Sequence, residues 1–244
     1  MKYFPIVTKS VIIIFTIFFL FGCYATTHRG PATLKPGQLS ANVGYLQLNA
    51  ADAADDDKPV KLVTVDARVG LLKFWDFGLI RTFDYTDYEG ADVDGIDTYW
   101  IDTKFQLSNI KNKNYLPQFA LGYGFGDLIS DDDEENKLFI NSLYFIFGIP
   151  TKFITPYYSF RFEHASDEIK FLPSWAWEED FNTLVKAHIV GIEINAIEYV
   201  MPVIEIGRFY VDDFSDGANI FTVGLNFYLD IPKLLFTKDP VVTE

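Results

Sequence analysis

The sequence contains very little cysteine and histidine. Cys23 is the only cysteine among 244 residues, so the chain cannot form an internal disulfide. Its three histidines limit acid–base chemistry near neutral pH. Cys-x-x-Cys and His-x-x-x-His spacings are absent, and no glycine-rich phosphate loop follows a strand. We therefore expect no cofactor, no metal centre and no nucleotide site.

Basic residues are also scarce. Lys and Arg total 20 against 34 Asp and Glu, which gives a formal net charge of −14 at pH 7. If residues 1–22 are removed, Lys2 and Lys9 are lost without any acid, and the charge becomes 18 − 34 = −16. Proteins bind nucleic acid largely by neutralising phosphates with Lys and Arg. The charge balance therefore argues against nucleic acid as a partner.

The chain begins with a short apolar segment, MKYFPIVTKSVIIIFTIFFLFGC. Its positive start and its apolar run over 10–22, too short to span a bilayer as a helix, predict a signal peptide over 1–22. Leu20-Phe21-Gly22-Cys23 resembles the bacterial lipoprotein signal, which is cut before a cysteine whose thiol then carries a diacylglycerol. The resemblance implies that Cys23 is a lipid-attachment site that tethers the N-terminus to a membrane. The alternative is an ordinary signal peptide that is cut a little after Cys23.

Strict alternation of apolar and polar residues predicts β-strands. In Thr98–Ser108, TYWIDTKFQLS, Ile101 and Phe105 share one face while Asp102 and Lys104 share the other. About ten segments show this period, within a range of 8–12, and none predicts an amphipathic helix. They are 38–48, 60–70, 74–84, 98–108, 117–126, 138–148, 153–163, 183–194, 199–208 and 219–230. We expect an all-β, antiparallel, up-and-down barrel over 38–231, after an N-terminal linker over 23–37 and before a C-terminal tail over 232–244.

The connectors indicate which way the apolar faces point. Those after the odd-numbered segments are long and acidic, as in DLISDDDEEN, whereas those after the even-numbered segments are shorter or mildly basic, as in NIKNKNYL. Outer-membrane barrels have short periplasmic turns and long external loops. The pattern therefore predicts a transmembrane barrel in the bacterial outer membrane, with a periplasmic N-terminus and acidic extracellular loops. The alternative is a soluble lipoprotein barrel that binds an apolar ligand in its core.

From about Leu34 to Ile231 the chain resembles small bacterial outer-membrane β-barrels. The strand that ends in Phe227-Tyr228-Leu229 is similar to the aromatic-terminated last strand by which such barrels are recognised for assembly. The resemblance implies three partners: membrane lipids, lipopolysaccharide and the barrel-assembly machinery. It implies a structural or surface-interaction role without catalysis.

Several ionisable residues fall on the faces predicted to line the lumen. Unpaired charges in a narrow interior are costly, so we expect these side chains to form a salt-bridged network that plugs the lumen, the alternative being a conducting pore. Glycines on the same face of the fifth segment, such as Gly122 and Gly124, would make room for them. The predicted lumen charges are Asp66, Arg68, Asp102, Lys104, Arg161, Glu163 and Glu205.

Two further features concern chemistry near the outer rim. RFEHAS places His164 and Ser166 on one face, and the pair resembles the His-x-Ser pair of the lipid A 3-O-deacylases. The resemblance implies that His164 would be the base and Ser166 the nucleophile of a lipid A-modifying esterase. The acidic loops, such as 131–135, carry carboxylates of the kind that bind divalent cations, although a solvated, mutually repelling surface is the alternative.

Overall fold

The fold is a single closed β-barrel. A computed structural model of the chain describes residues 29–50, 59–86, 96–130, 138–166, 183–195, 199–211 and 214–231. Its ten strands are β1 (Gln38–Ala50), β2 (Val60–Leu72), β3 (Trp75–Asp84), β4 (Ile96–Gln106), β5 (Gln118–Ser130), β6 (Leu138–Gly148), β7 (Ile154–Ser166), β8 (Thr183–Ile194), β9 (Val200–Val211) and β10 (Phe214–Asp230). The predicted all-β class and the count of ten strands are confirmed. Over the described residues, no helix is long and apolar enough to cross a membrane.

The strands are connected up and down. Each pairs antiparallel with its neighbours in sequence, and β1 pairs with β10 to close the barrel, with Gly44 opposite Gly224. β10 begins at Phe214, earlier than the predicted start at Asn219. The pairing of β10 with β9 shifts register between Phe214 and Ala218, so the alternation that marks a strand is broken there.

The two ends of the barrel differ in their connectors. The lower end, as we name it, carries the turn at 73–74, the connectors 107–117 and 149–153, and both ends of the described chain. The upper end is the opposite rim. The acidic connectors predicted to gather there, such as 51–58, 87–95 and 131–137, lie outside the described residues, as do the predicted signal peptide and C-terminal tail.

The barrel is apolar outside, and much of its interior is polar. Its outward side chains include exposed Leu79, Ile101, Phe145, Val190, Ile204 and Ile206. Its inward side chains include fully buried Asn42, Asp66, Asp76, Asp102, Glu205, Thr222 and Asn226. This is the reverse of a soluble protein, in which large apolar side chains are buried and unpaired charges stay in water. It is the arrangement of a transmembrane barrel.

Candidate functional site

The lower half of the lumen holds a network of buried charges. Arg68 is its centre: its Nε and Nη2 atoms both lie 2.9 Å from Asp76 Oδ1, and its guanidinium also pairs with Asp102. The hydroxyl of Tyr144 donates to Asp102 Oδ1 at 3.0 Å. Lys104 Nζ lies 3.9 Å from Asp76 Oδ2. Because each of these charges has an opposite charge beside it, the barrel can bury them without leaving any isolated.

Alternation along the strands places these side chains. Asp102 and Lys104 are two residues apart in β4, and Asp66 and Arg68 are two apart in β2, so both pairs point inward. Asp76 faces Lys104 across the β3–β4 pair, and Gly78 faces Asp102. Gly78 lacks a side chain and leaves room there for Arg68, whose Cγ is 2.9 Å from where a Cβ would stand.

Of the described part of the predicted linker, residues 29–34 lie inside the barrel, and residues 35–37 are exposed at the lower end. We name Arg29–Leu34 the floor segment, because it crosses the lumen at the lower end, from β2 and β3 to β8. Its path passes β3 and β4, where Leu34 N donates to Asp76 Oδ2 at 3.2 Å and Thr33 N donates to Gln106 Oε1 at 2.9 Å. It then passes β8, where Gly30 N donates to Glu193 Oε1 at 2.7 Å.

Buried charges hold the floor segment in place. Lys104 Nζ donates to Gly30 O at 3.1 Å and to Ala32 O at 2.7 Å. The Arg29 guanidinium pairs with Asp66, and its Nη1 donates to Ser40 Oγ at 2.5 Å. The backbone of an irregular segment needs such partners where water is excluded. The lumen charges therefore bind this segment as well as each other.

The walls are shaped to receive the chain that enters here. At Gly70 a Cβ would stand 2.0 Å from the carbonyl oxygen of Lys35, so only glycine allows the entering backbone to lie this close. At Gly148 a Cβ would stand 2.9 Å from Pro31 Cγ. Small residues of β2 and β6 thus make room for the segment on its two sides.

The connector between β4 and β5 folds beneath the same end. Gln106 Nε2 donates to the carbonyl oxygens of Ser108 and Asn109 and to Asn112 Oδ1. Asn109 and Asn112 adopt positive φ angles of 47° and 51°, a region that asparagine tolerates better than most residues. Gln118 Nε2 also donates to Asn112 Oδ1, at 2.8 Å. This connector and the floor segment together occupy the lower end.

The middle of the lumen is polar and tightly packed. Tyr157 donates its hydroxyl hydrogen to Glu205 Oε1, and Glu205 is 0% exposed. Asn42 of β1 donates to Asn226 of β10 across the seam that closes the barrel. These contacts join neighbouring strands above the floor segment: β1 to β10, and β7 to β9 past β8.

The upper half of the lumen contains a cavity of about 320 Å³. Aliphatic and aromatic side chains of seven strands form most of its wall, and Arg161 and Glu163 of β7 are its charged residues. Arg161 Nη1 donates to Glu163 Oε1 at 2.8 Å. The lumen is thus divided into a charged lower half and a largely apolar upper half.

The seven predicted lumen charges do not form one network. Asp66, Arg68, Asp102 and Lys104 lie in the lower half, together with Arg29, Asp76 and Glu193, which the sequence analysis missed. Arg161 and Glu163 pair separately at the cavity, and Glu205 bonds to Tyr157 between the two levels. Strand parity could have identified Asp76 and Glu193, whereas nothing in the sequence marked Arg29.

The other candidate residues are only partly described. His164 and Ser166 belong to β7, where their backbones face Asn141 and Phe139, but their side chains lie outside the described residues. Cys23 lies outside them as well. His188, whose direction the sequence left ambiguous, is exposed on the outer face, and its Nδ1 lies 2.5 Å from the Tyr158 hydroxyl. In the part of the chain that the structure describes, no group of three or more His, Cys, Asp and Glu residues is arranged to hold a metal.

Comparisons with known proteins find similarity in structure only. No protein family model matches the chain, and no curated protein matches it. Among solved structures, the N-terminal β-barrel domain of Pseudomonas aeruginosa OprF is similar at 10% identity, covering 80% of this chain and 100% of that one, with a TM-score of 0.38. The attachment invasion locus protein Ail of Yersinia pestis is similar at 11% identity, covering 80% of this chain and 99% of that one, with a TM-score of 0.32. The outer-membrane protease OmpT of Escherichia coli is similar at 10% identity, covering 81% of this chain and 99% of that one, with a TM-score of 0.37.

Proposed function

We propose that this chain is a closed, non-conducting barrel of the bacterial outer membrane, with a structural or surface-interaction role and no catalytic one. The observation that carries the proposal is the floor segment, which lies across the lower end and is bonded to charges from four strands. A barrel that conducted ions or solutes would need an open path at this level.

The outer surface supports the membrane placement. Large apolar side chains are exposed around the barrel, among them Ile206 at 60%, Leu79 at 56% and Val190 at 54%. A soluble monomer rarely exposes a continuous apolar surface of this extent, since such patches drive association or membrane binding. The ten described strands all belong to the closed sheet, so none of them would present an edge with unpaired backbone groups to lipid.

The lower end is proposed to be periplasmic. It carries the short turns and both ends of the described chain, as in outer-membrane barrels. The acidic connectors that the sequence predicts for the opposite rim would then face the medium, where they could contact lipopolysaccharide or bind divalent cations weakly. The barrel-assembly machinery is the proposed partner during insertion, through the aromatic end of β10.

Single-channel recording in planar bilayers tests whether the lumen is closed. We expect the purified full chain to give no steady unitary conductance. Deletion of residues 29–34 should open the lower end and produce frequent conducting events, because it removes the backbone groups that Lys104, Glu193 and Asp76 now hold. The matched control replaces the adjacent exposed residues, Lys35→Ser with Pro36→Ser, and should stay silent. Stable conductance in the intact chain, or silence after the deletion, would contradict the proposed role of the segment.

A lipid on Cys23 is the second part of the proposal. Six residue steps separate Cys23 from Arg29, which spans at most roughly 21 Å of extended chain. A tether of that reach allows an acylated cysteine to enter the leaflet nearest the lower end. Intact-mass spectrometry of the membrane-extracted protein should show the mass of attached acyl chains, and the Cys23→Ser variant should lack it. An unmodified Cys23, or a mature chain that begins after it, would contradict the lipid anchor.

A further inference from the structure

The cavity in the upper half of the lumen has the character of a binding site for a small apolar molecule. It measures about 320 Å³, close to the lower limit for small-molecule pockets. An apolar cavity of roughly 150 Å³ inside a protein stays dry and binds benzene. The space here is about twice as large, and its wall is built from inward side chains of every described strand except β5.

These apolar residues lie where a barrel of this type usually has polar ones. The inward faces of transmembrane barrels are polar, and the lower half of this lumen follows that rule. In the upper half the inward positions instead carry residues such as Leu46, Leu62, Ile140 and Ile220, which line the cavity. Ile189 is 1% exposed and packs with Ala187 and Ile220 in a buried apolar cluster at the cavity wall. Three threonines also line the cavity, but their hydroxyls already have partners: those of Thr64 and Thr82 lie 3.2 Å apart, and Thr98 Oγ1 accepts from Trp100 Nε1 at 2.8 Å. Water gains little from such a wall, since a buried water needs two to four polar partners.

One buried polar group points to the kind of molecule that fits. Arg161 lines the cavity, is 8% exposed and has its guanidinium 5.2 Å from the centroid of the Tyr144 ring. Its Nη1 donates a hydrogen bond to Glu163, but its Nε has no hydrogen-bond partner. A buried donor without a partner is costly, and a ligand oxygen would satisfy it. Because Glu163 already neutralises Arg161, the site favours an uncharged oxygen over a carboxylate.

We propose that the upper lumen binds a small, mostly apolar, uncharged molecule that carries one hydroxyl or carbonyl oxygen. The apolar part lies against the aliphatic wall, and the oxygen accepts a hydrogen bond from Arg161. This binding is independent of whether the lower end conducts, so each proposal can fail without the other.

Tryptophan fluorescence can detect the occupant, with 4-bromobenzyl alcohol as the quenching probe. Trp100 lines the cavity, whereas Trp75 is on the outer face, where its ring is stacked on Phe105 at 5.5 Å. Two variants in lipid nanodiscs would each retain one of these tryptophans, with the other three replaced by phenylalanine. Quenching of Trp100 should saturate with probe concentration, and quenching of Trp75 should rise linearly as the probe dissolves in the lipid. Linear quenching of both would overturn the proposal.

Cavity variants in the single-Trp100 background test the site itself. Ala187→Phe fills the cavity and should weaken saturable quenching at least tenfold, while the matched control Val190→Phe, outward on the same strand and 54% exposed, should leave it unchanged. The double variant Arg161→Met with Glu163→Met removes the polar group without changing net charge. It should weaken binding of 4-bromobenzyl alcohol roughly tenfold and leave binding of 4-bromotoluene unchanged. Equal effects on the two probes, or no effect of Ala187→Phe, would contradict the assignment.

Discussion

Single carboxylates in the lower lumen have more than one task. Asp102 pairs with Arg68 and accepts from Tyr144, and Asp76 pairs with Arg68 while it also accepts the backbone N–H of Leu34. Removal of one such group leaves a buried guanidinium short of an anion. The cost of an uncompensated buried charge is larger than the net gain of the intact pair.

Asp102→Leu is therefore expected to be strongly destabilising. The change removes one of the two anions beside Arg68 and the acceptor of Tyr144, and the loss should be about 3–5 kcal/mol of unfolding free energy. Urea titration of the barrel folded in lipid vesicles would measure it. Asp102→Asn keeps the shape and an acceptor for Tyr144, so it should lose less. Equal stability of wild type and Asp102→Leu would show that the network does not support the fold.

The neighbouring residue illustrates what parity alone does not predict. Thr103 is on the outer face, and alternation predicts that an apolar substitution there is tolerated. In the structure, Trp75 Nε1 donates to Thr103 Oγ1 at 2.5 Å and Thr103 Oγ1 donates to Asp76 O at 3.2 Å. Thr103→Val should therefore cost about 1 kcal/mol in the same urea titration. A change within error would show that lipid headgroups or water replace the lost acceptor of Trp75.

At the scale of one strand, β5 shows how small residues permit a filled lumen. A Cβ at Gly122 would stand 1.9 Å from Tyr144 Cζ, whereas a Cβ at Gly124 would have its nearest neighbour, Trp100 Cε3, at 3.5 Å. Both glycines face inward and are two residues apart. They should respond differently to the same methyl group.

Gly122→Ala and Gly124→Ala form a matched pair. The first must displace the buried Tyr144 ring and disturb its bond to Asp102, and should cost about 1–3 kcal/mol. The second meets only an ordinary contact and restricts the unfolded chain, so it should be neutral or stabilising by up to about 1 kcal/mol. Urea midpoints of the two variants, measured side by side, give the answer. A similar loss at both sites would mean that β5 needs glycine for its backbone and not for Tyr144.

The strands were predictable because alternation is written into them. Each inward charge of β2 and β4 could be assigned by counting residues in twos, and the closed barrel followed from ten such segments. The floor segment was not predictable, because Arg29–Leu34 has no period and its partners are 11 to 163 residues away in sequence. The sequence also did not predict the cavity at the upper inward positions. A cavity forms there only because side chains of strands from both ends of the sequence meet across the lumen.

At the scale of the whole molecule, the barrel has three environments: two inside its lumen and one on its outer surface. A charged network and the floor segment fill the lower lumen, an apolar cavity occupies the upper lumen, and an apolar surface surrounds both. A soluble barrel could bury the cavity, and it could bury the network. It has no physical reason to expose the third environment, so the outer surface is what distinguishes the two readings of the alternating strands.

A charge placed on that outer surface separates the membrane barrel from the soluble alternative. Ile206 is 60% exposed near the middle of β9, and Tyr199, just before β9 at the lower end, is 46% exposed. If the surface faces lipid, Ile206→Arg should lose about 2–4 kcal/mol of folding free energy in vesicles, and Tyr199→Arg, near the membrane interface, should lose only about 0–1 kcal/mol. If the surface faced water, both changes would stay within about 0.5 kcal/mol, because exposed substitutions away from special contacts rarely matter more. Urea titration of both variants in the same vesicles therefore decides the placement: a depth-dependent loss supports the transmembrane barrel, and two equal small changes would refute it.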